Sequence, residues 1–521
     1  MSFVRTPRRF ADLLYLLASS FALTSCLVAP RVMSGQELLI EHVTVVSPQW
    51  IAPLRDVNVE VRDGRIASIS TGAPNHPSYA GSKTVVIDGG GLYLTPGLID
   101  SHVHLGAVQG MREDQEAVHP DIARAAREQF PRSYLLYGFT TLIDLISTPE
   151  QTARWKDHAI VPETSFCGGA ALMDGYPMGG PKPQRYKDWP YMLIEPGAEA
   201  PPGIDPAQHT PTAVVAHMKA DGAVCVKTFF ERGDKKTMPV PKLETLRELV
   251  RAAHLAGLPV LMHASSAEAQ AYGLDAGVDI LAHGLWTWQG DRPSSADATE
   301  ITPAMKQLLD RGIAASVAWQ PTIRALYGTR DLFNTSFLAD PLLARVVPPS
   351  LLAWYGTAEG QWFHDLLEQI LQGDHAIEFP KGEDAKATEV RVNQQADAPI
   401  EREEHATAYL ATHGGRLLFG TDTPGAPSYA QPPGLNGWFE MQALTKAGVT
   451  PAQIFRMATL SNAQAFHLDR EIGTVEVGKR ANLLLLKEDP TQTIRAYSEI
   501  VKIVLGGRVL DPAGLVANRA P

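Results

Sequence analysis

Cysteine is scarce in this chain, with three in 521 residues, too few for a disulfide framework. Cys167 and Cys225 fall in apolar, strand-like segments and read as buried free thiols, while Cys26 stands apart near the N-terminus. Positive charge is also in short supply: 46 Lys and Arg face 57 Asp and Glu, for a net charge of −11. No basic block follows the first ten residues. A nucleic-acid partner needs a basic face to neutralise phosphates, so none is expected. Beyond one N-terminal run, no stretch is long and apolar enough to span a bilayer. What remains is ordinary globular composition, 45% hydrophobic and 20% charged, at a length that suits two to three folding units or one large barrel with an accessory domain.

The N-terminal run has its own logic. Arg5, Arg8 and Arg9 precede the apolar stretch Leu13 to Leu23, the n-region and h-region of a bacterial secretory signal. Leu23-Thr24-Ser25-Cys26 resembles a lipobox, which makes residues 1–26 a signal peptide with Cys26 as the lipidated first residue. Each buried methylene contributes about 0.8 kcal/mol, so several acyl chains anchor firmly. The expectation is an exported, periplasmic lipoprotein that meets the membrane only through its lipid. The plainer alternative is a secretory signal cut elsewhere, with Cys26 incidental.

Short strands and turns fill residues 38–90, and the same character returns over 473–515. Two β-rich flanks so far apart predict a small β-sandwich domain built from both chain ends. Between them, over 91–472, strand-like runs alternate with helical ones. Candidate strands are Leu92 to His102, Thr140 to Ile146, Val161 to Cys167, Ala223 to Phe229, Pro259 to Met262, Ile280 to Ala282, Ile313 to Ala318 and Leu417 to Gly420. Thr302-Pro303 and Thr450-Pro451-Ala452-Gln453 have the spacing of helix starts. Eight strands with intervening helices predict an α/β fold, a (β/α)8 TIM barrel. The stretch 323–412 is too long for an ordinary connection. It is read as a helical insertion, equally a lid, a decoration or an oligomer contact.

The chemistry gathers at the predicted strand ends. His102 and His104 close the first strand, and residues i and i+2 on a strand face the same side. Both therefore point to the barrel mouth, where metals collect. Lys227 interrupts the apolar run Ala223 to Phe230, and a buried ammonium is costly unless paired or neutralised. Carboxylation by CO2 is one resolution, since a carbamate has two oxygens able to bridge two metal ions. The other is a side chain that snorkels to solvent. His263, His283 and Asp422 follow short apolar runs in the same way. His-x-His, Lys, His, His and Asp thus end strands one, four, five, six and eight.

This set resembles the amidohydrolase superfamily, within it the group similar to imidazolonepropionase and Xaa-Pro dipeptidases. The resemblance rests on Pro96-Gly97-Leu98-Ile99-Asp100-Ser101-His102-Val103-His104, on Gly138 to Asp144, on the Lys227 strand, and on His263, Ala282-His283-Gly284 and Gly420-Thr421-Asp422. It continues through Ala458-Thr459, Asn462-Ala463 and Gly473 to Asn482, and covers nearly all of residues 38–510. It implies two divalent metal ions, with zinc the default. His102 and His104 would bind the buried one, His263 and His283 the exposed one, and carbamylated Lys227 would bridge them. Asp422 would be both ligand and proton shuttle for attack by a metal-bridging hydroxide. The implied reaction is hydrolysis of a C–N bond in a small amide, dipeptide, N-acyl amino acid or cyclic amide. Lactone hydrolysis and deamination are the alternatives on this fold, and a non-catalytic binding lipoprotein is the reading from another class. A homo-oligomer is compatible with all of them.

The segment after Lys227 departs from the pattern. Where dipeptidase-like relatives often carry a Gly-Gly-rich stretch, this chain has Thr228-Phe229-Phe230-Glu231-Arg232-Gly233-Asp234. Arg232 and Tyr137 are the candidate substrate-binding residues, with an ion pair the plainer role for Arg232. His119, Tyr134, Trp286 and Trp288 are further pocket candidates.

Overall fold

The computed structural model describes residues 37–72, 84–177, 189–232, 238–288, 299–373, 379–380, 382–425 and 427–517. The expected signal peptide, residues 1–26, and the pair Gly233-Asp234 lie outside them. No helix among the described residues is long and apolar enough to cross a membrane.

Eight parallel strands run in order through the central sheet: Leu98–Val103, Phe139–Asp144, Glu163–Leu172, Cys225–Phe229, Val260–His263, Ile280–Ala282, Ala318–Gln320 and Arg416–Leu417, and a ninth, Met192–Leu193, pairs with the end of Glu163–Leu172. The eight follow one another around the sheet. The last segment returns to the first and closes the barrel: Ser101 N donates to Phe419 O (3.1 Å), Asp422 N to His102 O (2.8 Å) and His104 N to Thr423 O (2.8 Å). Side chains alternate across the strands. Ile99, Cys167, Cys225, Leu261, Ala318 and Leu418 share one apolar cluster, the barrel interior, while Leu98, Val226, Val260, Met262, Trp319 and Phe419 pack outward in the main core.

Two details differ from the sequence reading. The seventh strand is Ala318–Gln320, because helix Pro303–Ala314, capped by Thr302, keeps Ile313 for itself. Cys167 and Cys225 were expected as free thiols. They are direct partners in the register of the third and fourth strands, with Cα atoms 4.6 Å apart, and are joined as a disulfide. Strand adjacency places them side by side, and no spacing in the sequence shows it.

Both chain ends meet in one mixed eight-stranded sheet. Leu38–Val45, Leu54–Arg62, Arg65–Thr71, Val85–Asp88 and Tyr93–Pro96 join Leu483–Leu486, Ile500–Leu505 and Arg508–Leu510. Its core holds Leu38, Ile40, Val59, Leu94, Leu483 and Val504. Tyr93–Pro96 leads straight into the first barrel strand, so this domain lies at the amino ends of the strands, opposite the mouth.

Asn462 fastens the closure from below. Its Nδ2 donates to Ile99 O (2.9 Å) and Phe419 O (2.8 Å), and its Oδ1 accepts from Phe419 N and Ser101 Oγ (both 3.2 Å). Each buried group left unsatisfied costs about 1–3 kcal/mol. Asn462→Leu is therefore expected to lose about 3 kcal/mol or more of stability, read as a lower midpoint in urea unfolding. An unchanged midpoint would show that the amide does not secure the seam.

Candidate metal centre

Three of the expected ligands converge tightly. His102, His283 and Asp422 are buried, and one ligand atom from each lies within 4.8 Å of the others. His102 Nε2 stands 3.1 Å from Asp422 Oδ1, and His104 Nε2 contacts the same oxygen at 3.0 Å. His283 Nδ1 is 3.9 Å from Asp422 Oδ2. The His263 ring is 4.5 Å from the His283 ring, centroid to centroid, and its Nε2 is 3.5 Å from Glu231 Oε2. Lys227 sits in the middle of its strand, buried, and among the described residues its Nζ has no hydrogen-bond partner. His102, His283 and Asp422 thus converge at the mouth, with His104 against Asp422 and His263 against His283. The tightest grouping, however, takes one histidine from each of the two pairs expected.

Local backbone features aim these side chains. Ile99 fills the barrel interior, yet Val103 packs outward, because the register slips between Asp100 and Val103. That irregularity turns His102 and His104 inward together. Ala282 faces inward, so plain alternation would send His283 out. A left-handed backbone at His283 (φ 73°) redirects it, and Thr322 (φ 54°) and Asp422 (φ 55°) share this conformation. Such positions cost on the order of 1–3 kcal/mol each and persist only where the surroundings hold them. Gly420 gives the cluster room, since a Cβ there would meet His102 Cβ at 2.7 Å.

Electrostatics suit a cation. Burial pushes the His102 imidazole down to about 3, and it lowers His263 and His283 as well. Burial thus favours the neutral form of these rings, which has a lone pair to offer. Burial opposes charge on Asp422, but His102, His104 and His283 around it outweigh that and hold the carboxyl well below its usual range. Burial also brings the Lys227 ammonium down to about 7. Among the described residues His102 Nε2, though 3.1 Å from Asp422 Oδ1, has no partner in hydrogen-bond alignment. An orphaned buried nitrogen, neutral imidazoles and a carboxylate together are the donor set a divalent ion takes.

Partners behind the ligands escaped the sequence reading. Gln320 Oε1 meets His102 Nδ1 at 3.1 Å, and Gln320 Nε2 donates to Ser101 O (3.0 Å) and Ser101 Oγ (2.7 Å). Thr322 Oγ1 holds His283 Nδ1 at 2.9 Å. Asp100 accepts from His102 N, Thr421 N and Thr421 Oγ1, and burial raises its carboxyl to about 7. Gln320 and Thr322 follow an apolar strand as His263 does, but Gln and Thr at a strand end carry no chemical flag.

A cavity of about 190 Å³ opens beside the ligands, lined by Tyr176, His263, Trp286, Leu326, Phe363 and Asp422, among others. Leu326 and Phe363 belong to the 323–412 segment, which therefore walls the site. A larger cleft of about 330 Å³, along Gly415, Leu417 and Gln453, lies at the opposite ends of the strands and holds no ligand cluster among the described residues. Trp286 lies 4.9 Å from the His283 ring, as a lining residue should. The other pocket candidates are engaged elsewhere. Tyr137 is buried just before the second strand begins, at the far end from the mouth, and burial raises its phenol to about 12. It does not line the cavity beside the ligands. Arg232 pairs with Glu268 (3.5 Å) and lies over the Phe230 ring, as in the plainer reading. His119 pairs with Glu359 (2.9 Å), Trp288 donates to Leu285 O, and Tyr134 is buried in the core.

Comparisons with known proteins agree with this architecture. The sequence model of the amidohydrolase family matches residues 383–510. Two curated relatives share parts of the chain. One is an adenine deaminase of Mesorhizobium japonicum, 36% identical over 63 residues, covering 12% of this chain and 10% of its own. The other is a dihydroorotase of Pelotomaculum thermopropionicum, 26% identical over 238 residues, 46% of this chain and 44% of its own. The chain thus spans less than half the length of either. Among solved structures, an Xaa-Pro dipeptidase with bound methionine superimposes with a TM-score of 0.60 at 19% identity, covering 91% of this chain and all of that one. Phenylurea hydrolase B does so with 0.61 at 18%, covering 93% and all of that one. The A. niger ochratoxinase gives 0.59 at 18%, covering 92% and 97%. At these identities the likeness establishes the fold.

Partners that orient a metal-bound histidine typically contribute 10–100-fold in metal affinity. Gln320→Leu is therefore expected to weaken binding of a divalent ion by about that factor, measured by competition with a chromophoric chelator. Wild-type affinity in this variant would show that His102 needs no such support.

Proposed function

We propose that this chain, which carries the amidohydrolase-superfamily fold, is a metal-dependent hydrolase that cleaves a C–N bond in a small amide. The observation that carries the reading is the convergence of His102, His283 and Asp422 at the mouth of the barrel. The match of residues 383–510 to the amidohydrolase family and the fold shared with named hydrolases support it.

A bound divalent ion supplies Lewis acidity, which polarises a carbonyl and lowers the pKa of water toward about 7. His102, His104, His263, His283 and Asp422 would hold it. Burial brings the Lys227 ammonium down to about 7 and so favours its neutral amine. A neutral amine is what adds to CO2, so a carbamate at Lys227 and a second ion, zinc by default, belong to this proposal. Asp422 is the proton carrier. Its Oδ1 is occupied by His104, whereas Oδ2 lies toward His283 and the cavity wall includes this residue. Oδ2 can accept a proton from an attacking water and return it to the leaving nitrogen. Tyr176, Trp286, Leu326 and Phe363 offer an apolar, aromatic wall, which favours an amide with an apolar arm. The enzyme is exported and lipid-anchored in this proposal, on the strength of Leu13 to Leu23 and Cys26.

The tight trio also favours a second reading, a one-metal site such as a deaminase needs, in which Lys227 is no ligand. Metal analysis decides between them. About two equivalents are expected in the wild type, and Lys227→Ala is expected to lose one of them together with hydrolysis. One equivalent in both proteins would establish the one-metal site, and a folded, metal-free protein would sink the proposal. Asp422→Asn is expected to lower turnover by about 10²–10⁴-fold. It would be assayed on a library of dipeptides, N-acyl amino acids, aryl amides and cyclic amides. Turnover of lactones alone would move the function to the ester bond.

A further inference from the structure

The turn that carries His283 is gripped from behind by the long helix Ala385–Thr412. Two consecutive residues of this helix, Arg402 and Glu403, are fully buried and both reach the turn. Glu403 Oε1 accepts from Gly284 N at 3.2 Å, a proton shared with Pro321 O at 3.0 Å. Arg402 Nε donates to Trp286 O at 3.3 Å. The fit is close, since a Cβ at Gly284 would collide with the Glu403 carboxyl group. Burying a polar side chain costs free energy unless it is hydrogen-bonded, and apolar residues would pack this helix at lower cost. What the polar pair provides is direction. It secures a left-handed His283 that strand alternation would have turned away from the site. The next residue serves as an internal contrast. Glu404 binds Tyr327 Oη and Lys446 Nζ, both at 2.9 Å, and anchors the same helix without touching the turn.

We infer that Glu403 and Arg402 are positioning residues of the metal centre, holding His283 and Trp286 in place through the backbone between them. The helix Ala385–Thr412 is then a working part of the site and not a decoration on the barrel. The inference rests on the metal-centre reading above.

Visible absorption of the full chain loaded with Co²⁺ tests it, because the band reports ligand geometry independently of turnover. Glu403→Leu removes the acceptor for Gly284 N, and is expected to shift the band and weaken Co²⁺ binding by about 10–100-fold. Glu403→Gln keeps an oxygen at that position and is expected to restore the wild-type band. Arg402→Lys keeps the charge but loses the Nε donor, so a smaller shift in the same direction is expected even if Glu403→Leu does not fold. Glu404→Gln is expected to lower the melting temperature and leave the band and affinity alone. A wild-type band and affinity in folded Glu403→Leu or Arg402→Lys would overturn the positioning role and leave the metal centre standing. So would an equal loss in Glu404→Gln, since the effect would then be general stability. A wild-type protein that takes up no Co²⁺ would overturn the metal centre and this inference together.

Discussion

Asp422 lies where the last barrel strand meets the first, and its Oδ1 is contacted by histidines from across that seam. The closure of the barrel and the assembly of the site are therefore one event. Unless the strands ending at His104 and Asp422 come together, neither the backbone bonds across the seam nor the ligand cluster can form. The polar residues packed around the seam, Asp100, Ser101, Asn462 and Gln320, hold it in a single register. Buried polar networks of this kind pin one arrangement when every member is satisfied.

The same seam accounts for where strain is accepted. His283, Thr322 and Asp422 all adopt left-handed backbone without being glycine. Each bends the chain just as a strand leaves the sheet, so that its side chain, or a neighbouring ligand, faces the cluster. The rest of the barrel, with its apolar interior and outer core, supplies the stability that permits such conformations. Sites placed at the carboxyl ends of barrel strands make this affordable, because loops there vary while the strands stay rigid.

The segment between the seventh and eighth strands joins these two themes. Its early helices wall the cavity through Leu326 and Phe363, and its last helix reaches the His283 turn with Arg402 and Glu403. One stretch of chain thus bears on both the substrate side and the ligand side of the centre. A lid pictured as a loose cover does not describe a helix whose charged residues are buried this deeply.

Much of this was legible in the order of residues. Strand-like runs ending in His102, His104, Lys227, His263, His283 and Asp422 announced a barrel and the ligands at its mouth, because strand periodicity and chemical type are local properties. Both β-rich ends announced one accessory sheet for the same reason. Other features depend on which strands become neighbours. The pairing of Cys167 with Cys225, the support of His102 by Gln320 and the grip of Glu403 on Gly284 join residues 58, 218 and 119 positions apart. The placement of Tyr137 away from the cavity was not legible either, because distance along the chain does not tell which end of a barrel a loop occupies. The sequence by itself determined the kinds of donor and the strand ends that carry them. Only the tertiary structure decided that His102, His283 and Asp422 form the tight cluster, because left-handed turns and a register slip, set by long-range packing, aim each side chain.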